Sequence, residues 1–410
     1  MTRVGFAAPF GLESTLRFVR AAAAAPGVTL GVISQESADT FAGKLPPEVR
    51  AALGGFVRVK DAHDAAELAR AVVELGRQLG GKVERLIGIL ESLQVPLAEA
   101  REALQIRGMD RAEAERFRDK SVMKDALRAA GLPCARHRLA TSAAEALAFA
   151  RQVLPLVAKP PAGAGAKDTF RVESLDQLEA WLRAVPPTKE RPLLLEEFLT
   201  GTEHSFDSVT LGGRTVFHSI SDYAPSPLRV METPWIQWTV MLPRHIDGPE
   251  YAAIRRAGPR AVETLGMVDG LSHMEWFRRP DGSIAISEVG ARPPGAQFTS
   301  LLSYAHDHDF YRAWADIVIH GRFDIPERRY AAGAAYLRGQ GDGKVAGVEG
   351  IQAVREELGH LVIEAKLPQP GQPKSSSYEG EGYVIVRHHE TEVVRRALER
   401  IVSIMRVHLR

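Results

Sequence analysis

The sequence has few features that would tie the protein to an oxidising compartment, a membrane or a nucleic acid. Its 410 residues include one cysteine, which cannot form an internal disulfide. No uninterrupted apolar run approaches the ~18 residues that a membrane helix needs, and the N-terminus has no signal-peptide pattern. The 52 Lys and Arg residues nearly balance the 51 Asp and Glu residues, whereas nucleic-acid-binding proteins usually carry a basic excess. We therefore expect a cytoplasmic protein that binds neither nucleic acid nor membrane.

The N-terminal part of the sequence alternates between apolar segments and helical patterns. Residues 4–7 and 28–33 are short apolar runs, with one helical pattern between them and a second helix predicted to begin after Asp64. This alternation, with a further strand over 83–90, predicts a small parallel sheet with helices on both faces. Pro9 and Gly11 occupy the turn after the first strand, where a dinucleotide site would need G-x-G-x-x-G, so we expect no such site.

The remaining sequence predicts a small α+β unit followed by hairpins. Strand-like segments at 156–159, 169–172 and 193–197 alternate with two helices, and a Gly/Ala-rich loop at 160–166 joins the first two strands. Two turn signals, Gly212-Gly213 and Pro280-Asp281-Gly282, then separate pairs of strand-like segments. The charge-dense run at 107–128 predicts a solvated helix.

The second hairpin carries one glutamate on each strand, Glu275 and Glu288. A two- or four-residue loop would place the two carboxylates directly opposite, where their repulsion favours a bound cation. Two carboxylates beside phosphate oxygens are the usual way to hold Mg²⁺. The sequence also fits a three-residue loop, which moves Glu288 to the other face unless a second irregularity restores it. Two exposed strand glutamates remain the alternative.

Two further segments suit a nucleotide. The loop at 160–166 has backbone N–H groups that could wrap phosphates, with Lys159 and Lys167 to neutralise them, although most such loops only connect strands. The apolar strand at 193–197 ends in Glu196 and Glu197 and precedes Glu203. These carboxylates could accept from a ribose or an adenine amino group, or could be surface acids at a strand end.

Five segments in order carry a resemblance to a known superfamily. They are FRDKSVMKDALRAAGLP, VAKPPAGAGA, LLEEFLTGTEHSFD, HMEW and ISEVGARPPG. Together they resemble the ATP-grasp superfamily, in the branch of carboxylate–amine ligases that includes biotin carboxylase and the bacterial L-amino acid ligases. The resemblance implies a multidomain fold of the α/β and α+β classes. It divides the chain into an N-terminal βαβ domain at 1–108, an ATP-grasp domain at 109–325 with a lid at about 136–200, and a C-terminal subdomain at 326–410.

The resemblance also implies roles for individual residues. ATP phosphates would contact Lys124, Lys159 and the loop residues Gly163, Gly165 and Lys167. Adenine would be held by Glu196 and by the backbone of Glu197, Phe198 and Leu199, and the ribose by Glu203. Glu275 and Glu288 would ligate Mg²⁺, or Mn²⁺ in its place, and Arg292 would face the reacting carboxylate. Two positions depart from the pattern: Gly290 stands where Asn is common, and Ala166 with Lys167 where a serine is usual.

The implied activity is an ATP- and Mg²⁺-dependent ligase that activates a carboxylate as an acyl phosphate and joins it to an amine. An amino acid or another small carboxylic acid is the expected substrate, and a homodimer is the family's usual assembly. A carboxylase-like or purine-pathway-like ligase that activates bicarbonate or formate is the alternative, although the chain has no biotin-carrier segment. An inactive nucleotide-binding module is the second alternative, and Gly290 is its main support.

Other residues carry weaker signals. His273 shares a strand face with Glu275 and could touch substrate or simply pack. The run at 306–309, His-Asp-His-Asp, favours a polar loop or helix start over a metal site. The aromatic segment at 223–238 suits a substrate loop or a core equally, and Cys134 has no neighbouring base that would activate it.

Overall fold

A computed structural model of the chain describes residues 1–162, 169–233 and 235–410. Its secondary structure falls into four sheets with helices packed on them. Among the described residues, none of the helices is both long and apolar enough to cross a membrane.

The N-terminal part is a parallel sheet with helices on both faces, as the alternation predicts. Its strand order is β3-β2-β1-β4. Asp64 begins the helix α4 by accepting a hydrogen bond from the Glu67 N–H. The sequence did not predict β3, because Gly54 and Gly55 interrupt its apolar pattern, and β4 is shorter than the predicted strand at 83–90. The elements are β1 Thr2–Ala7, α1 Glu13–Ala23, β2 Val28–Ser34, α2 Ala38–Ala42, α3 Pro47–Ala52, β3 Leu53–Arg58, α4 Ala65–Gln78, β4 Arg85–Ile87, a 3₁₀ turn Glu91–Leu93 and α5 Gln94–Leu104.

The charge-dense run forms two helices, α6 Arg111–Arg118 and α7 Lys120–Ala129, rather than one solvated helix. Asp119 begins α7 by accepting the N–H groups of Ser121 and Val122. The prediction is wrong for two of the lysines: Lys120 is 4% and Lys124 0% exposed. Both lie on the face of α7 that also carries Met123 and packs against the hairpin of Glu275 and Glu288.

The next unit, at residues 137–197, is a four-stranded antiparallel sheet of order β5-β8-β6-β7. The two predicted helices of this unit begin at Ser142 and Ser174, whose side chains accept the N–H groups of Glu145 and Gln177. We refer to it as the 137–197 unit. Its elements are β5 His137–Ala140, α8 Ala143–Ala150, β6 Leu156–Lys159, β7 Phe170–Val172, α9 Leu175–Ala184 and β8 Leu193–Glu197.

An eight-stranded antiparallel sheet forms the centre of the molecule, in the order β13-β12-β9-β10-β11-β14-β18-β17. It contains both predicted hairpins and runs from residue 202 to residue 388 without a break between sheets. A small sheet of order β15-β19-β16 lies at the C-terminus. The strands and helices up to β14 are β9 Thr202–Leu211, β10 Arg214–Ala224, α10 Pro227–Glu232, β11 Trp238–Leu242, α11 Ala252–Leu265, β12 Gly270–Arg278, β13 Ile284–Gly290, α12 Phe298–His306, α13 Phe310–Ala315 and β14 Ala331–Leu337.

The remaining elements complete the eight-stranded sheet and cover it. The helix α15 packs on β14 and β18 through Val394, Ala397 and Leu398, which belong to one apolar cluster with Val384 and Val386. These elements are β15 Gly339–Gln340, β16 Val345–Glu349, α14 Ile351–Leu358, β17 Val362–Lys366, β18 Gly382–His388, α15 Thr391–Ile404 and β19 Arg406–Leu409.

Candidate active site

A cavity of about 410 Å³ is lined by residues of the 137–197 unit and of the eight-stranded sheet. Most of the predicted site residues lie in its wall, whereas Lys124 does not, and Gly163, Gly165 and Lys167 lie outside the described residues. The predicted residues in the wall are Lys159, Glu196, Glu197, Phe198, Leu199, Glu203, His273, Glu275, Glu288 and Arg292. Lys120 and Glu91, which the sequence did not single out, also line it.

The hairpin of β12 and β13 places Glu275 directly opposite Glu288, which confirms the predicted pairing. The reason differs from the expected two- or four-residue loop. Near the turn Trp276 pairs with Ile286, a register that would put Glu288 on the other face. The register shifts between these two pairs, and Ser287 is the extra residue of the resulting bulge. The bulge therefore restores the alignment of the two carboxylates.

The carboxylates of Glu203, Glu275 and Glu288 lie near one another in the cavity wall and repel one another. Burial, followed by the charges of Glu275 and Glu288, raises the pKa of Glu203 well above its ordinary value. Burial also disfavours ionisation of Glu288, but Lys120 and Lys159 outweigh it and lower the pKa of Glu288. Lys120 Nζ lies 2.9 Å from Glu288 Oε1. The raised pKa of Glu203 shows that these carboxylates oppose one another's ionisation, which a bound cation would relieve.

The donor set fits Mg²⁺. Glu275 and Glu288 supply carboxylate oxygens, the ligand type that this ion prefers, and Mg²⁺ is commonly held by two carboxylates together with substrate phosphates. No group of three His, Cys, Asp or Glu side chains converges as a metal site within the described ranges. The remaining ligands would therefore come from phosphate oxygens and water. Gly290 pairs with His273 on β12 and has no side chain to add a ligand.

A buried ion-pair network supports this end of the cavity. Glu196 lies between two lysines, with Oε1 2.8 Å from Lys124 Nζ and Oε2 2.9 Å from Lys159 Nζ. Burial opposes its ionisation, but the two lysines lower the pKa of Glu196 to about 2. Lys124 also donates to the carbonyl oxygen of Ser287, the bulge residue.

Two of the residues expected to contact ATP have protein partners in this structure. Lys124 is fully buried, and its ammonium contacts Glu196 and the carbonyl oxygen of Ser287. Lys120, one helical turn earlier, lies in the cavity wall instead. The carboxylate of Glu196 contacts Lys124 and Lys159.

The segment after β8 offers backbone groups at the cavity wall. The side chain of Glu197 points to Arg136 and Arg279, with Oε2 2.9 Å from Arg136 Nε. The N–H groups of Glu197 and Phe198 donate to carbonyl oxygens at Arg136 and Pro155. Within the described part of the chain, the Leu199 N–H has no backbone acceptor. It is therefore open to a nitrogen acceptor of a base edge.

Arg292 follows β13 and is held by a residue of the N-terminal part. Its Nε donates to Glu91 Oε2 at 2.9 Å, and Arg118 Nη1 lies 3.4 Å from Glu91 Oε1. Glu91 follows β4, on the side of the parallel sheet where its strands end, which is the usual position for ligands in such folds. That position is the signal by which the sequence could have indicated Glu91.

His273 is a second positive group in the wall. Its Nδ1 lies 2.6 Å from Asp207 Oδ1, and its Nε2 lies 3.8 Å from Glu275 Oε1. Burial lowers the pKa of His273, but these carboxylates outweigh burial and raise it to about 9, so the imidazole is charged at neutral pH. The rings of Tyr223 and Phe298 lie beside it, and with Trp238 they form an aromatic side of the cavity.

The structure also shows the surroundings of the His-Asp-His-Asp run and of Cys134. In the His-Asp-His-Asp run, Asp309 begins α13 by accepting two N–H groups, and His306 Nδ1 lies 2.9 Å from the Pro326 carbonyl oxygen. The expectation of a polar loop and helix start is confirmed. Cys134 is half-buried, and burial raises its thiol pKa, as expected for an unreactive cysteine.

Comparison with known proteins gives no matching family model. Among curated proteins, the chain is 27% identical over 191 residues to an L-arginine-specific L-amino acid ligase of Bacillus subtilis, which is 45% of each chain. It is 24% identical over 284 residues to an alanine–anticapsin ligase of Bacillus subtilis strain 168, covering 64% of this chain and 59% of the relative. It is also 24% identical over 326 residues to an uncharacterized protein of Sinorhizobium fredii, covering 76% of this chain and 66% of that protein. The match thus spans about half to two thirds of the length of these curated relatives.

Solved structures share the fold over the whole chain. The crystal structure of an L-amino acid ligase from Bacillus licheniformis matches with a TM-score of 0.77 at 19% identity, covering 100% of this chain and 99% of that one. An N5-carboxyaminoimidazole ribonucleotide synthetase from Thermotoga maritima matches with a TM-score of 0.70 at 16% identity, covering both chains fully. By fold the chain is similar to these ligases and synthetases, and by sequence to named L-amino acid ligases, which agrees with its resemblance to ATP-grasp carboxylate–amine ligases.

Proposed function

We propose that the protein is an ATP- and Mg²⁺-dependent ligase that joins a small carboxylic acid, such as an amino acid, to an amine through an acyl phosphate. One observation carries the proposal: the opposed carboxylates Glu275 and Glu288, the lysines Lys120 and Lys159, and Arg292 all line one cavity. The similarity to named L-amino acid ligases supports it.

The nucleotide would lie along the 137–197 unit. We place the adenine against the backbone of residues 197–199, the ribose at Glu203, and the phosphates toward Lys120 and Lys159. Burial lowers the pKa of Lys159, but Glu196 and Glu288 outweigh burial and raise it, so this lysine stays charged when phosphates approach. Glu275 and Glu288 would hold Mg²⁺, and the ion would neutralise negative charge that develops on the phosphoryl group during transfer.

The acceptor carboxylate would lie against Arg292. A free carboxylate acylates poorly because oxide would have to leave. Attack of its oxygen on the γ-phosphorus breaks the bond to ADP and gives an acyl phosphate. An amine then attacks the carbonyl carbon, phosphate leaves, and the amine loses a proton. The planar guanidinium of Arg292, oriented by Glu91, suits both oxygens of the carboxylate before transfer.

The substrate body would pack against the aromatic side of the cavity. Tyr223, Trp238 and Phe298 form this side, with Leu228 from α10 nearby in the wall. These apolar side chains favour a substrate whose side chain is uncharged, since an unpaired charge would lose its hydration there.

A phosphate-release assay with ATP, Mg²⁺ and pooled amino acids tests the proposal. Release that requires amino acids is expected, and the double variant E275Q/E288Q should lose at least about 100-fold, the scale for removing an electrostatic group of an active site. E263Q, on the exposed side of α11, is the matched control and should keep the activity. Release that needs bicarbonate or formate instead would favour the alternative ligases. Tight ATP binding without turnover would contradict catalysis altogether.

A further inference from the structure

A second, smaller cavity lies between the N-terminal sheet and the start of β12. We call it the Arg101 cavity, and its volume is about 70 Å³, several times the ~10–15 Å³ that one water needs. Its wall includes Leu86 on the edge strand β4, Arg101 and Gln94 on α5, Arg107 before α6, and Arg292. We call the larger cavity of about 410 Å³ the nucleotide cavity. Arg292 lies in the walls of both cavities.

Arg101 is the unusual member of this wall. It is 9% exposed, and its Nε donates to the Leu86 carbonyl oxygen at 2.9 Å. A guanidinium has five N–H donors, yet within the described residues this is its one hydrogen bond, and no carboxylate pairs with it. Gly108, at φ +155°, makes room for it, because a Cβ there would lie 2.7 Å from Arg101 Cδ. Burial lowers its pKa only to about 10, so Arg101 remains charged at neutral pH.

The surrounding charges do not compensate Arg101. Four arginines and one aspartate line the cavity. That aspartate, Asp269, already binds Arg107 at 2.7 Å through Oδ2 and accepts the Gly212 N–H through Oδ1. Arg292 is paired with Glu91. A buried charge without a partner is strongly unfavourable, so the cavity needs an occupant that accepts several hydrogen bonds and carries negative charge.

We propose that the Arg101 cavity binds a small inorganic oxoanion, phosphate or sulfate, separately from the phosphates of the nucleotide. Its size excludes a nucleotide, and an oxoanion offers acceptors to several N–H donors at once. Because Arg292 borders both cavities, the bound ion changes the charge that surrounds Arg292. This site does not depend on the ligase activity proposed above.

Thermal unfolding of the full chain, titrated with phosphate, sulfate and chloride at constant ionic strength, tests the proposal. A non-hydrolysable ATP analogue with Mg²⁺ at saturating concentration keeps the nucleotide cavity filled, including the position of the γ-phosphate. Phosphate and sulfate should raise the Tm of the wild type saturably, and chloride should not. R101M should weaken this binding about 10- to 100-fold, the range for losing charge-assisted hydrogen bonds. K159M, which alters the nucleotide cavity, is the matched control and should keep the phosphate effect.

Three results would overturn the proposal. R101M and the wild type could respond equally to phosphate, the phosphate effect could be lost in K159M alone, or the wild type could show no saturable response. The last result would mean that the cavity holds water only. Should R101M fail to fold, equilibrium dialysis of the wild type with radioactive phosphate and a saturating non-hydrolysable ATP analogue with Mg²⁺ decides the question. One bound phosphate per chain supports the site, and none refutes it.

Discussion

Replacing Glu196 with glutamine tests the ion-pair network beneath the nucleotide cavity. Glu196 is 4% exposed, and its two oxygens contact Lys124 and Lys159 at 2.8 and 2.9 Å. Glutamine keeps the size of the side chain but removes its charge. The variant therefore leaves two buried ammonium groups without the carboxylate that lies between them, which is a costly arrangement.

The pKa of Glu196 sets the size and the pH range of the effect. It falls from an ordinary value of 4.5 to about 2 in the folded protein. At ~1.4 kcal/mol per pKa unit, this difference corresponds to about 3 kcal/mol of stability. Because the folded pKa lies below the unfolded one, the stabilisation is complete above pH 4.5 and is lost as the pH falls toward 2. Between pH 8 and pH 5 it should stay constant.

Calorimetric unfolding of the wild type and E196Q at several pH values measures this. A loss of about 3 kcal/mol lowers Tm by roughly 6–12 °C for a cooperative unit of 150–250 residues. E197Q is the matched control in the same strand. Its partners Arg136 and Arg279 have side chains that are 63% and 34% exposed, so a loss of about 1 kcal/mol or less is expected. Equal Tm values for E196Q and wild type at pH 7, or a difference that vanishes by pH 5, would refute the network's role.

The sequence predicted the parallel N-terminal sheet, both hairpins and the opposed pair of Glu275 and Glu288. The sheet and the hairpins follow from local patterns, namely apolar alternation and turn signals, whereas the opposition of the two carboxylates also depends on a bulge. The bulge at Ser287 could not be predicted, because it depends on how β13 pairs with β12. The residues of β13 themselves do not indicate it. Glu91 likewise meets Arg292 only through the packing of two distant segments.

The burial of Lys120 and Lys124 shows why charge density is a poor guide to exposure. The charged residues of 107–128 suggest solvent, but Asp119 caps a new helix on which Lys120, Lys124 and Met123 share one face. That face meets carboxylates on other strands, which are far away in the sequence. The burial of these lysines could have been predicted only by combining the helix cap at Asp119 with the apolar spacing around them.

Substitutions at three further positions, Gly290, Lys120 and Lys124, separate the expected metal contacts from the expected phosphate contacts in the nucleotide cavity. A Cβ at Gly290 would lie 3.6 Å from both Arg292 Cγ and Glu91 Oε2, which is ordinary contact. G290N should therefore fit and, by adding an oxygen ligand, lower the Mg²⁺ concentration for half-maximal turnover about tenfold; G290A is its control, and equal Mg²⁺ dependence in both would count against a metal at this end. Lys120 lines the cavity and Lys124 lies beneath it. K120M should consequently raise the KM for ATP about tenfold or more, since a charged contact to phosphate is lost, with a small change in Tm. K124M should keep the KM within about threefold while it lowers Tm, because Glu196 and the bulge carbonyl lose a partner. The opposite assignment of these two effects would show that Lys124, and not Lys120, contacts the phosphates.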